Sequence, residues 1–66
     1  MNNLAFLNHK LYVDGNETCK DIAEKFYKDS IQMKSYVKLM TECLELLHNG
    51  DNIKFISVYN KTLGIK

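Results

Sequence analysis

The 66-residue chain has no arginine, no proline and no tryptophan, and only two cysteines. Without arginine, the side chain that makes the commonest specific contact to guanine is missing, which counts against sequence-specific reading of DNA. Nine lysines against eight acids leave a net charge of +1, far from the strongly basic balance that announces a nucleic-acid binder. Cys19 and Cys43 lie far apart with no CxxC spacing; this pattern predicts two reduced thiols in a cytosolic protein rather than a disulfide. No run approaches the ~20 apolar residues of a membrane span. Met1-Asn2-Asn3-Leu4 carries no basic region followed by a long apolar run, so no signal peptide is expected. Abundant lysine and asparagine, with no proline or tryptophan, indicate an AT-rich coding background.

A chain this short is expected to be a single small domain spanning 1–66. At that size folding buries only about 60% of the surface of the unfolded chain, and a partner subunit, metal or disulfide commonly makes up the deficit.

Leu4-Ala5-Phe6-Leu7 and Lys10-Leu11-Tyr12-Val13 flank Asn8-His9. Such residues suit a pleated surface and two residues is the usual hairpin loop, so an N-terminal β-hairpin is predicted. Asp14-Gly15-Asn16 ends it. Thr18-Cys19-Lys20-Asp21 has the form of a capping box, and Cys19, Ile22, Ala23 and Phe26 then follow at i, i+3, i+4, i+7, predicting a first helix over about Cys19 to Lys28. Asp29-Ser30 breaks it, with Ser30 free to cap a second helix from about Ile31 to His48, closed by Gly50 in a left-handed position. Beyond Asp51-Asn52, the alternation of Ile53, Phe55, Ser57 and Tyr59 with Lys54, Ile56, Val58 and Asn60 predicts one strand, or a β-hairpin if Thr62-Leu63-Gly64-Ile65 returns. The fold class is therefore α+β.

Candidate chemistry is sparse. Cys19, Cys43, His9 and His48 include a two-cysteine, two-histidine set in composition, but none sits at ligand spacing from another, so no metal is expected. The cysteines fall on apolar faces, away from a base that would activate them. The acids are scattered singly over solvent-facing positions. Neither an enzyme, a cofactor nor a small-molecule substrate is expected.

The predicted second helix is two-sided. Tyr36, Leu39, Met40, Cys43, Leu46 and Leu47 belong to an apolar half-cylinder, wider than the ~100° stripe of an ordinary surface helix. So broad a face predicts a homodimer or another protein seated on it. The other side, from Ser30 to Thr41, carries Lys34 and Lys38 and no acid, with Gln32 and Ser35 near them. That side could lie along phosphates or in a major groove.

Asp21-Ile-Ala-Glu-Lys-Phe resembles the opening of a helix-turn-helix, with Met33, ten residues after Ala23, at the usual apolar contact of the second helix. The wider order, Leu4–Leu7, Lys10–Val13, Ile22-Ala23-Glu24-Lys25-Phe26-Tyr27-Lys28 and Met33 to Val37, resembles the N-terminal segment of the Rha-type phage regulatory proteins over about the first 40 residues. The resemblance implies a small phage or prophage regulator in a bacterial cytoplasm, with a helix-turn-helix-like arrangement that binds DNA through its second helix. Lys34, Ser35 and Lys38, with Gln32, would make the contacts, Lys28 would stand at the turn, and Lys54 and Lys61 would touch phosphate from a C-terminal wing. The rival reading is a phage-encoded interaction module that inhibits a host defence or transcription protein, using the apolar strip or the lysine face.

Overall fold

The computed structural model describes residues 4–63, which form four helices: α1 (Leu4–Val13), α2 (Cys19–Gln32), α3 (Val37–Asn49) and α4 (Asn52–Leu63). Among the described residues there is no strand. The predicted α+β fold, with a hairpin at each end of the chain, is therefore corrected to an all-α fold; Gly64 and Ile65 of the possible C-terminal return lie outside the described residues.

Three left-handed residues decide where the chain turns. After α1, Gly15 has φ +115°, its N–H donating to Tyr12 C=O and the next N–H, from Asn16, reaching back to Leu11 C=O. After α2, Lys34 at φ +57° repeats this pattern: Lys34 N–H donates to Ile31 C=O and Ser35 N–H to Ser30 C=O. Past α3, Gly50 at φ +71°, the left-handed glycine the sequence indicates, is followed by Asp51 N–H donating to Leu46 C=O. The paired bonds at Gly15 and Lys34 satisfy two carbonyls that a helix end would otherwise leave open, in the Schellman arrangement, while at Gly50 both N–H groups turn to Leu46 C=O. The left-handed residue of such ends favours glycine because it has no Cβ to clash. Lysine occupies the middle site of the three, so the sequence carries no glycine signal there.

That hidden cap divides the predicted second helix. The break expected at Asp29-Ser30 falls instead at 33–36; α2 runs through Ser30, which is buried, and α3 starts only at Val37. Ala23 is buried as a small residue between helices should be, but Met33 stands on the connection at 78% exposure. The apolar contact of a helix-turn-helix is not made, so that part of the fold expectation is corrected as well.

The terminal segments are helical because their buried residues follow the helical period. In α1, Ala5, Phe6 and His9 are buried, with Tyr12 and Val13 partly covered. Leu4, Leu7 and Leu11 stay exposed on the other side. Apolar residues all round the helix blur its period and make the segment look like two strands. Asn8, the predicted hairpin corner, instead donates its side-chain amide to Leu4 C=O one turn back, 2.8 Å. In α4, Phe55 and Tyr59 are buried four residues apart, while Ile53, which shares their side in the predicted strand, is 89% exposed. Asp51 caps this helix: its carboxylate accepts Lys54 N–H, 3.2 Å, and its carbonyl accepts Phe55 N–H. An aspartate there contributes about 1 kcal/mol.

The capping box proposed at Thr18 is not formed. The Thr18 hydroxyl donates to the Asn16 side-chain oxygen, 2.7 Å, and makes no bond to the helix it precedes. The buried stripe of α2 is turned accordingly: Cys19, Ala23, Tyr27 and Ser30 face inward, and Ile22 is exposed. Tyr27, Phe6, Phe55, Met40, Leu47 and Cys43 fill the centre of one apolar core to which all four helices contribute.

Candidate interaction surface

Burial sorts the predicted contact residues into two groups. Met40, Cys43, Leu46 and Leu47, expected to form a dimer interface, lie in the core and are covered by the chain's own helices. The half-cylinder needs no second subunit over that part, because Ala5 and Phe6 of α1 and Phe55 and Tyr59 of α4 join it in one core. Tyr36 stays 55% exposed and Leu39 is half-buried. Both cysteines are free and buried; burial, and secondarily Glu42, pushes the Cys43 thiol up to about 12, far from a reactive thiolate.

The predicted nucleic-acid contacts do not lie together on one helix face. Lys28 and Gln32 are exposed on α2, Lys34 and Ser35 are in the connection, Lys38 is in the first turn of α3, and Lys54 and Lys61 are on α4. Lys28 is occupied by Glu24, 3.0 Å away, and Glu24 also meets His48 of α3 at 3.3 Å. The Lys28 ammonium, then His48, hold the Glu24 carboxyl below the usual range. Lys10 is likewise taken by Asp14, at 2.7 Å. Lys34 and Lys38 are exposed, and no ion pair to either occurs among the described residues.

Around those two cations the surface is apolar. Met33, Tyr36 and Val37 (42% exposed) follow one another at the α2–α3 corner, and Tyr36, Val37, Lys38, Leu39 and Glu42 line an open depression there. The backbone is under strain at the same place. Tyr36, the residue before α3, has φ +53° and is left-handed like Lys34. Such a conformation costs an L-residue roughly 1–2 kcal/mol and is an outlier for a bulky one. Tyr36 makes no side-chain bond to the helix it opens, and its ring is mostly in solvent, so ring burial does not offset the strain. In the sequence Lys34 and Lys38 fall together on one side of a continuous helix, Tyr36 on its apolar side and Met33 in a helix contact, and nothing signals the corner that gathers all four.

The second polar feature is sealed in the core. His9 Nδ1 lies 2.8 Å from Tyr27 Oη, and His9 Nε2 is buried with no hydrogen-bond partner. If Tyr27 donates to Nδ1, one N–H is orphaned at Nε2; if Nδ1 donates, both the Nε2 lone pair and the Tyr27 hydroxyl proton lack partners. The first tautomer leaves fewer groups unsatisfied and is the one the packing favours. The imidazole lies flat on Phe55, centroids 3.5 Å apart at 19°, while Phe6 meets Tyr27 edge-on. Burial lowers the His9 pKa to about 4 and raises that of Tyr27, helped there by the nearby Cys43 thiol. A neutral imidazole and a neutral phenol closed off from solvent hold helices together; they have no opening through which to meet a substrate.

Among the described residues no three His, Cys, Asp or Glu side chains form a metal-sized group, and no helix is long and apolar enough to cross a membrane. No protein-family model, curated protein or solved structure matches the chain.

Proposed function

We propose that this chain is a protein–protein interaction module that meets its partner at the α2–α3 corner. The observation that carries the reading is the pair of left-handed residues, Lys34 and Tyr36. Both hold side chains in solvent at positions where glycine would fold more stably, as it does at Gly15 and Gly50. Strain kept where it brings no packing is explained by what those side chains touch outside the chain. Met33 and Val37 beside them supply apolar contact area, and such exposed clusters rimmed by polar groups mark interaction sites. On this reading the chain acts by occupying another protein's surface, as expected of a phage inhibitor of a host protein.

A second reading, a DNA-binding regulator, is favoured by the free cations Lys34 and Lys38. Its weakness is the apolar surface between them, since protein–DNA interfaces are polar and strongly positive. Affinity capture from nuclease-treated bacterial lysate separates the two. The interaction reading expects a protein recovered by the parent chain and lost with Tyr36→Gly, a variant that unfolds at higher denaturant than the parent. Recovery that disappears with nuclease would transfer the function to DNA. A Tyr36→Gly chain less stable than the parent would remove the strain argument altogether.

A further inference from the structure

Resting on the corner as the contact site, we propose that its partner is an acidic amphipathic segment of another protein: an apolar side chain seated against Tyr36, Val37 and Leu39, with carboxylates meeting Lys34 and Lys38. Charge complementarity carries this. From Ser30 to Thr41 the chain holds two lysines and no acid. Lys10 and Lys28 are matched internally by Asp14 and Glu24. Lys34 and Lys38, like Lys25, Lys54 and Lys61, carry no ion pair among the described residues, but they stand beside exposed apolar side chains at the corner. Lys38 and Glu42 line the depression together and offset each other, so the positive excess of the corner comes from Lys34 in the connection.

The same excess argues against a second copy of this chain. A two-fold contact places a patch on itself. Each copy would then bring two lysines against the single Glu42 of the other, and the like charges left in excess across the interface oppose binding. Nucleic acid answers the charge but not Met33, Tyr36 and Val37, whose exposed apolar groups need an apolar counterpart. A segment with both features satisfies both parts of the corner. The lysines would chiefly set the rate and selectivity of association, and the apolar contacts its lifetime.

The test is an amide-resonance titration of the isotope-labelled full chain with three short helical peptides. They share one set of leucine anchors and differ in flanking residues, being glutamate-rich, glutamine-rich or lysine-rich. The proposal expects the glutamate peptide to shift signals from Met33 to Glu42, to bind tighter than the glutamine peptide, and to weaken as salt is added. The lysine peptide should bind least. Lys34→Ala/Lys38→Ala should weaken the glutamate peptide by about threefold to tenfold and leave the glutamine peptide unchanged. Equal binding of the glutamate and glutamine peptides would overturn the acidic partner while leaving the corner as the contact site. Absence of corner shifts with all three peptides would overturn the corner itself. Stronger corner shifts with a short DNA duplex at the same ionic strength would overturn both in favour of nucleic acid. Corner shifts that vary with protein concentration alone would overturn them in favour of a second copy.

Discussion

Tyr27 Oη lies 2.8 Å from Nδ1 of His9, and the bond joins α2 to α1 inside the core. Tyr27→Phe removes the donor and leaves both imidazole nitrogens buried without partners. A buried group stripped of its only hydrogen bond costs about 1–3 kcal/mol. A drop of that size in unfolding free energy by urea titration is expected. The double variant His9→Phe/Tyr27→Phe should lose less than the two single losses added together, because no polar group is then stranded. Strict additivity would mean the two residues do not act as a pair.

Acid should unfold the protein in a window set by His9. Its folded-state pKa is lowered to about 4 from 6.5, so between those values the unfolded chain binds the extra proton. Stability is then full above pH 6.5 and is lost as pH falls toward 4, by about 3 kcal/mol if the shift is converted directly. Glu24, whose carboxyl lies below its ordinary 4.5, adds a loss of the same sign at lower pH. The pH dependence of the denaturation midpoint measures this; His9→Phe should flatten it above pH 4.5, and an unchanged slope in that variant would assign the effect elsewhere.

Two of the helix ends give an opposed pair. A Cβ added at Gly50 would meet nothing within 4 Å, yet φ there is +71°. Gly50→Ala should therefore lose about 1 kcal/mol through backbone conformation alone. Lys34→Gly, at the corresponding position, should gain roughly 0.5–1 kcal/mol, since relief of the left-handed strain exceeds the extra entropy of an unfolded glycine. Thermal melts of the two variants should move in opposite directions, and a destabilised Lys34→Gly would contradict the cap assigned there.

Phe55 is fully buried and stacks on the His9 ring. Phe55→Ala should cost about 3–5 kcal/mol, a large share of the 5–15 kcal/mol typical of a whole domain. Loss of cooperative unfolding in circular dichroism would be the expected sign; a change below 1 kcal/mol would mean that α4 is not part of the core.

The middle of the chain was the legible part. The start of α2 at Cys19, the left-handed Gly50 and the burial of Ala23 follow from helical spacing and a glycine stop. So does the apolar character of Met40, Cys43, Leu46 and Leu47, although these, expected at a dimer interface, are covered by the chain's own helices. The ends were misread because local pattern and tertiary packing disagree there. Leu4, Leu7 and Leu11 keep apolar side chains in solvent and hide the inward set of Ala5, Phe6 and His9. Ile53 does the same for Phe55 and Tyr59, mimicking the alternation of a strand. The break at Lys34 was invisible for a different reason: lysine in a left-handed cap has no sequence signature, although the cap's backbone bonds match those at Gly15. The candidate surface suffered most from that, since a continuous helix would have spread Met33, Lys34, Tyr36 and Lys38 around a cylinder instead of gathering them at a bend.

Helices adjacent in sequence pack on each other through short connections, while α1 and α4 meet across nearly the whole chain. Neighbouring pairs can assemble early, because they close small loops, and chains built this way fold in microseconds to milliseconds. The clasp of Phe55 onto His9 spans the longest loop and would form last. Weakening it with Phe55→Leu should therefore accelerate unfolding far more than it slows refolding in temperature-jump relaxation. The carboxy-terminal helix, which packs least on the rest of the fold, would then be the first to peel away, making the hold of the rest upon it a question of kinetics as much as of equilibrium.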